Sequence, residues 1–205
     1  MNQLFLGLSF VHWLVVASAL LSIAGALTYT RDTWQRKIKP NLVTWTMWAI
    51  APLLGTAAAL AAHADPWSLV RVFLAGFMPL ILLIVVVIRP QGYWKLTPFD
   101  FACGIFSLAA LIAWLLVDSP RVAVVLSALG DFSAALPTIV KSWKYPETES
   151  GLNYAFGLLS ALLVFPAIPI WNVQNVFFQG SLLIVNLLLV IAVYRRQIFT
   201  FAWVK

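Results

Sequence analysis

Asp131 is the residue whose type and position most clearly indicate chemistry, because it is a carboxylate inside a long apolar segment. It belongs to a series, Ser127, Asp131, Ala134 and Thr138, with spacings of four, three and four residues, which places all four on one helix face. An ionisable group deep in a membrane span is unfavourable and usually faces a partner or a wet cavity. We therefore predict that Asp131 lines a functional cavity and could carry a proton. A structural hydrogen bond to a neighbouring helix is the alternative.

Small polar and aromatic side chains in other apolar segments complete the predicted site. The candidate substrate-binding residues are Ser22, Trp45, Trp48, Ser127, Asp131, Asn153, Tyr154 and Asn186. Ligand pockets combine apolar walls with a few convergent polar groups, which suits a compact hydroxylated solute. Purely structural roles stay open as well: serines allow close helix packing, tryptophans concentrate at the membrane surface, and Asn186 could bond a neighbouring helix. Arg71 is the candidate charged partner of Asp131. Pro137 is predicted to act as a hinge, or else to form a tolerated kink.

The elements that carry these residues are predicted to be membrane-spanning helices. The chain is 62% hydrophobic and 10% charged, and its apolar residues occur in uninterrupted blocks. Blocks of about 20 residues match the thickness of a bilayer core, and backbone facing lipid must be helical or in a closed barrel. The predicted spans are residues 8–29, 41–62, 67–88, 98–117, 120–140, 151–170 and 175–194.

A weak internal repeat relates the first and fifth spans. Residues 26–34 (ALTYTRDTW) return as residues 135–143 (ALPTIVKSW), an offset of 109 residues. At this offset Ser22 corresponds to Asp131, and Trp45 corresponds to Tyr154. The repeat predicts an all-α integral membrane protein with two parallel three-helix bundles joined by one linker helix. We assign residues 1–90 to the first bundle, 91–118 to the linker and 119–205 to the second, and expect the polar faces of the first and fifth spans to oppose each other.

The basic residues predict the orientation. Eleven lysines and arginines lie in the odd-numbered loops and the tail: Arg31, Arg36, Lys37, Lys39, Arg89, Lys95, Lys141, Lys144, Arg195, Arg196 and Lys205. Only Arg71 and Arg121 lie near the opposite face. The positive-inside rule then places the C-terminus in the cytoplasm and the N-terminus outside, most simply in a plasma or inner membrane. Charges beside membrane spans are explained by anionic lipid, so binding to nucleic acid is not expected.

The scarcity of reactive side chains argues against an enzyme. The chain has seven carboxylates, two histidines and one cysteine, and neither His12 nor His63 has metal-ligand spacing to a cysteine or a carboxylate pair. We expect no catalytic residues, no metal and no cofactor.

The segment 136–144 (LPTIVKSWK), followed by residues 149–153 (ESGLN), resembles the signature of PQ-loop proteins. In that superfamily, which includes the SWEET-like sugar transporters, a Pro-Gln pair closes the first helix of each repeat. Here the pair is Pro137-Thr138, and Thr28-Tyr29 in the first copy. The membrane-embedded asparagine pair of the family has no clean match, since Asn186 corresponds to Phe77. The resemblance implies a seven-helix 3+1+3 fold and transport of a sugar, an amino acid or a vitamin.

Two functions fit these features. The first is a transporter of a small polar solute by alternating access between the repeats, with proton coupling through Asp131. The second is a seven-helix receptor or sensor that binds a small ligand without moving it. The expected partners are the solute and the lipid bilayer, and a homo-oligomer is possible.

Overall fold

The chain folds into a bundle of helices. The computed structural model describes residues 3–4, 8–61, 66–89, 94–168 and 170–203. The helices among them are α1 (Phe10–Trp34), α2 (Leu42–Ala61), α3 (Pro66–Ile88), α4 (Pro98–Leu116), α5 (Pro120–Lys144), α6 (Gly151–Val164) and α7 (Val173–Trp203). Two short 3-10 helices, Pro146–Thr148 and Phe165–Ala167, flank α6. A pair of two-residue strands, β1 (Gln3–Leu4) and β2 (Leu8–Ser9), precedes α1 and was not predicted.

Within the part of the chain that the structure describes, four helical segments are long and apolar enough to cross a membrane. They are Phe10–Trp34, Pro98–Leu116, Arg121–Lys144 and Val176–Ile198. Three shorter apolar segments lie in α2, α3 and α6: Leu42–Ala57, Val72–Ile88 and Gly151–Val164. By length and composition the chain is therefore an all-α membrane protein. That all seven helices cross the bilayer stays a prediction.

Several helices end at residues other than the predicted ones. Helix α1 runs to Trp34, α5 to Lys144 and α7 to Trp203, each well beyond the end of its apolar run. Hydropathy detects where apolar side chains stop, whereas the backbone hydrogen bonds of a helix continue through polar residues. Helix α6 ends early, at Val164, because Pro166 has no N–H to donate to a carbonyl of the preceding helical turn.

The helix contacts repeat between the two halves of the chain. Helix α3 contacts both α1 and α2, and α7 contacts both α5 and α6. The halves meet where α1 packs on α6 and where α2 packs on α5. Exchanging α1 with α5, α2 with α6 and α3 with α7 leaves this set of contacts unchanged. Helix α4 has no counterpart and packs on α5 and α2.

The main buried cluster joins both halves near the last turns of α1 and α5. It includes Tyr29 from α1, Trp45 from α2, Ala135 from α5, Tyr154 from α6 and Leu189 from α7. The last turns of α1 and α5 and the first turns of α2 and α6 thus meet in one core, which brings several of the predicted site residues together.

Candidate functional site

Asp131 lies in the middle of α5, and one of its two carboxylate oxygens is buried without a hydrogen-bond partner. Its Oδ2 atom is buried and accepts no hydrogen bond. The side chain of Trp48 on α2 interacts with the Asp131 carboxyl group. The Trp48 Nε1 atom is also buried and makes no hydrogen bond of ordinary geometry. The side chain of Arg71, the predicted charged partner, lies outside the described residues. An acceptor and a donor are therefore left unpaired together where α5 of one half meets α2 of the other.

An aromatic cluster extends from Trp48 toward the end of α1. The rings of Trp48 and Trp45 meet edge to face with centroids 5.3 Å apart, and Trp45 lies 4.5 Å from Tyr29. Tyr154 follows at 6.2 Å from Tyr29. Trp45 is only 4% exposed, which excludes the lipid-facing alternative for this residue. The predicted residues Trp45, Trp48, Asp131 and Tyr154 therefore belong to one continuous group, with Tyr29 at its centre.

A buried ion pair lies beside this aromatic group. Glu149 Oε2 accepts hydrogen bonds from the hydroxyls of Tyr29 and Tyr154, each at 2.8 Å. Its other oxygen, Oε1, accepts no hydrogen bond of ordinary geometry but forms an ion pair with Lys141, and the side chains of both residues are almost completely buried. The Lys141 ammonium group also donates to the backbone carbonyl of Lys39. A buried ion pair is stable only when further hydrogen bonds satisfy its remaining atoms, and that condition is met here.

Backbone and side-chain bonds close the same end of the molecule. The Lys39 N–H donates to the Thr148 carbonyl at 3.0 Å, joining the first and fifth loops at two positions that the 109-residue offset makes equivalent. Ser150 donates to Asp32 Oδ2 at 3.0 Å and Asn41 donates to Asp100 Oδ1 at 3.0 Å. The end of the bundle that carries most of the basic residues is therefore tied across both halves.

The internal repeat is visible in side-chain geometry. The hydroxyl of Thr33 donates to the carbonyl of Tyr29 at 3.0 Å, and the equivalent Ser142 donates to Thr138 at 2.6 Å. The two tryptophans that close the repeats each pack under an arginine from the same half, Arg89 directly after α3 and Arg195 within α7. Arg89 lies 4.3 Å from the ring centre of Trp34, and Arg195 lies 5.3 Å from that of Trp143.

The polar face of α1 packs on α6 and does not oppose the polar face of α5, which corrects the sequence prediction. Ser18 and Ser22 each share a 2.8 Å hydrogen bond with the hydroxyl of Ser160. Asn153 and Phe156 of α6 pack directly against Gly25 of α1. A Cβ atom added at Gly25 would lie only 3.0 Å from the Cβ of Phe156. Periodicity correctly gave the shared face of α1 but could not tell which neighbour that face meets.

The remaining predicted residues lie outside the Asp131 group. Ser127 donates to the carbonyl of Ala123 in its own helix at 2.9 Å. Asn186 donates to the Leu182 carbonyl at 2.8 Å, and its amide packs where Gly157 has no side chain. The hydrogen bonds of Ser127 and Asn186 therefore match the structural alternative that the sequence left open for such residues. Asn153, beside Gly25, is half-buried at the contact between α1 and α6. The predicted hinge residue Pro137 is buried inside α5, which continues past it to Lys144.

Sequence reasoning missed Glu149 and Lys141 as a buried pair. The available signal was two acidic residues, Glu147 and Glu149, in the short loop between the lysines at the end of α5 and the start of α6, and nothing in the sequence shows which of them is buried. Glu149 and its partner Tyr29 lie 120 positions apart in the chain, so no local spacing relates them. Among the described residues, no three His, Cys, Asp or Glu side chains group as a metal site would require.

No protein-family model, curated protein or solved structure matches this chain.

Proposed function

We propose that the protein transports a small polar solute across a membrane by alternating access between two three-helix halves. Residues 1–90 and 119–205 form the halves in this proposal, and residues 91–118 contain the linker helix α4. The support is the exchange of helix contacts, in which α1, α2 and α3 behave as α5, α6 and α7 do. Transporters built from parallel repeats carry their substrate site at the contact between the repeats.

The observation that carries the proposal is the unpaired Asp131–Trp48 couple between the halves. Leaving a buried donor or acceptor without a partner costs about 1–3 kcal/mol. A solute hydroxyl would satisfy both groups, because a hydroxyl donates one hydrogen bond and accepts others. It could donate to Asp131 Oδ2 and accept from the Trp48 indole N–H. The ring of Trp45 beside them supplies an apolar wall. This chemistry favours a compact hydroxylated solute, such as a sugar.

The two ends of the helix bundle are packed differently, as one conformation of an alternating-access cycle would require. At the basic end, the Lys39–Thr148 and Tyr29–Glu149 bonds join the halves. At the other end, every residue of 10–17 and of 121–127 is half-buried or exposed, including those on the inner faces of α1 and α5. If the basic end is cytoplasmic, as the positive-inside rule predicts, this conformation is closed to the cytoplasm and faces outward.

The seven-helix order and the PQ-like segment around Pro137-Thr138 support a relation to the PQ-loop superfamily. This relation is part of the proposal. It favours sugars, amino acids and vitamins as the first solutes to examine.

Counterflow in proteoliposomes tests the proposal. Purified protein is reconstituted with unlabelled solute inside, and accumulation of the same radiolabelled solute is followed for a panel of sugars, amino acids and vitamins. We expect exchange of at least one solute, and loss of that exchange in Asp131→Asn. Asp118→Asn makes the same change on an exposed carboxylate just before α5 and is expected to leave exchange intact.

Two results would contradict parts of the proposal. A ligand that stabilises the protein against heat but never exchanges would favour a receptor or sensor. Proton coupling through Asp131 predicts that uptake follows an imposed pH gradient in the wild type. Coupling is refuted if Asp131→Asn keeps both its uptake and that dependence.

A further inference from the structure

A groove on the outside of the bundle lies between α2 and α4, apart from the proposed solute site. Its volume is about 280 Å³, and its walls are almost wholly apolar, with Leu42 and Met47 on one side and Leu96 and Leu108 on the other. Gly104 lines it as well, where the Val43 side chain occupies the space that a Cβ would need. Helices α2 and α4 therefore touch at Val43 and Gly104, and the groove lies along this contact.

The groove opens sideways, in the direction in which α4 faces the bilayer. Phe101 and Ile105 form part of its lining and are 56% and 68% exposed. Helix α4 is among the segments long and apolar enough to cross a membrane, so these side chains would contact hydrocarbon. An apolar groove that opens into hydrocarbon fits a segment of an acyl chain better than it fits a polar solute.

Positive charge lies at the end of the groove nearest the basic loops. Lys95 is exposed and directly precedes Leu96, which lines the groove, and Lys39 is exposed just before Leu42. The Trp94 N–H donates to the Pro40 carbonyl at 2.9 Å, which holds these two segments together. Two carboxylates near these lysines are already occupied: Asp100 is buried and is bonded by Asn41 and Thr97, and Glu149 is buried and paired with Lys141.

We propose that this groove binds one acyl chain of an anionic phospholipid, with the phosphate of the headgroup beside Lys95 and Lys39. Basic pockets between membrane helices on the cytoplasmic side are known sites for anionic headgroups. The inference is independent of solute transport, since neither Asp131 nor the aromatic cluster contributes to the groove.

Retention of added lipid by the purified full-length protein tests the site. Delipidated protein in detergent is mixed with phosphatidylglycerol or with phosphatidylcholine of identical chains, and bound lipid is counted by native mass spectrometry. We expect stronger retention of phosphatidylglycerol. Lys95→Gln should weaken that retention about fivefold, which corresponds to about 1 kcal/mol for one lysine beside an anionic headgroup. Retention of phosphatidylcholine should not change.

Matched variants separate a specific site from general attraction. Lys144→Gln removes an exposed lysine at the same end that has no groove-lining residue beside it in the sequence, and should retain lipid as the wild type does. Thr46→Phe fills the groove and should abolish retention of phosphatidylglycerol, whereas Ser181→Phe fills a smaller apolar pocket between α5 and α7 and should not. The proposal would be overturned if Lys95→Gln and Lys144→Gln lost equal amounts of bound phosphatidylglycerol. It would also be overturned if folded Thr46→Phe bound phosphatidylglycerol as well as the wild type does. So would equal retention of the two lipids by the wild type.

Discussion

Two buried carboxylates in the second half of the chain have opposite surroundings. Glu149 Oε2 accepts hydrogen bonds from Tyr29 and Tyr154, and Oε1, which accepts no hydrogen bond of ordinary geometry, is held in an ion pair with Lys141. Asp131 has a buried oxygen that accepts no hydrogen bond, beside an indole N–H of Trp48 that donates none. Such pairing fits a group that holds a structure together. Missing partners fit a group whose partner arrives from outside, such as a proton or a solute. The difference separates a locking region at the basic end from a binding region in mid-span.

Breaking the locking region should give the largest effect. Lys141→Met leaves Glu149 buried without its cation, and removing one partner of a buried ion pair typically destabilises a protein by about 3–5 kcal/mol. We expect a large fall in the midpoint of thermal unfolding in detergent. Lys144→Met, on an exposed position of the same helix end, should leave the midpoint close to that of the wild type.

The double variant Lys141→Met with Glu149→Leu completes this test. It removes both charges together, so it should be less destabilised than Lys141→Met alone. Strictly additive effects of the two substitutions would show that the pair is not coupled, and the locking role would then be wrong.

Replacing each carboxylate by its amide should change the stability of the protein in opposite directions at the two sites. Both changes should be smaller than the one caused by Lys141→Met. Glu149→Gln removes the charge that Lys141 needs and should lower stability. Asp131→Asn keeps the shape of the side chain and removes a buried charge, but the amide still has unpaired polar atoms, so stability should rise by only about 1 kcal/mol or less. The measurement is the unfolding midpoint of each variant, with the exposed Asp118→Asn as an unchanged reference. A fall in Asp131→Asn would indicate that Asp131 already has a structural partner, the alternative that the sequence left open.

Sequence alone could predict one of these regions and not the other. Asp131 was detectable because a carboxylate inside an apolar run is anomalous wherever its neighbours lie. The helices were detectable for a related reason, since each long apolar run must satisfy its own backbone. Glu149 gave no such signal, because it lies in a loop with other polar residues and its burial depends on Tyr29, far away in the chain. The packing of α1 against α6 could not be predicted either. A stripe of serines shows which residues share a helix face, but it does not show which helix covers that face.

The smallest expected effect concerns the counterpart of Asp131 in the first half, Ser22. Where Asp131 is unpaired at the contact of α5 with α2, Ser22 bonds Ser160 at the contact of α1 with α6, and Ser18 bonds it as well. Ser160→Ala removes these bonds, and interhelical hydrogen bonds in a membrane protein average about 0.6 kcal/mol. We expect a slight loss of stability and unchanged counterflow. Ser127→Ala, which loses only a bond within its own helix, should change neither quantity. If Ser160→Ala instead reduced exchange as strongly as Asp131→Asn, Ser22 would belong to the solute site. The two contacts between the halves would then act alike, because the repeat would have kept binding groups at both.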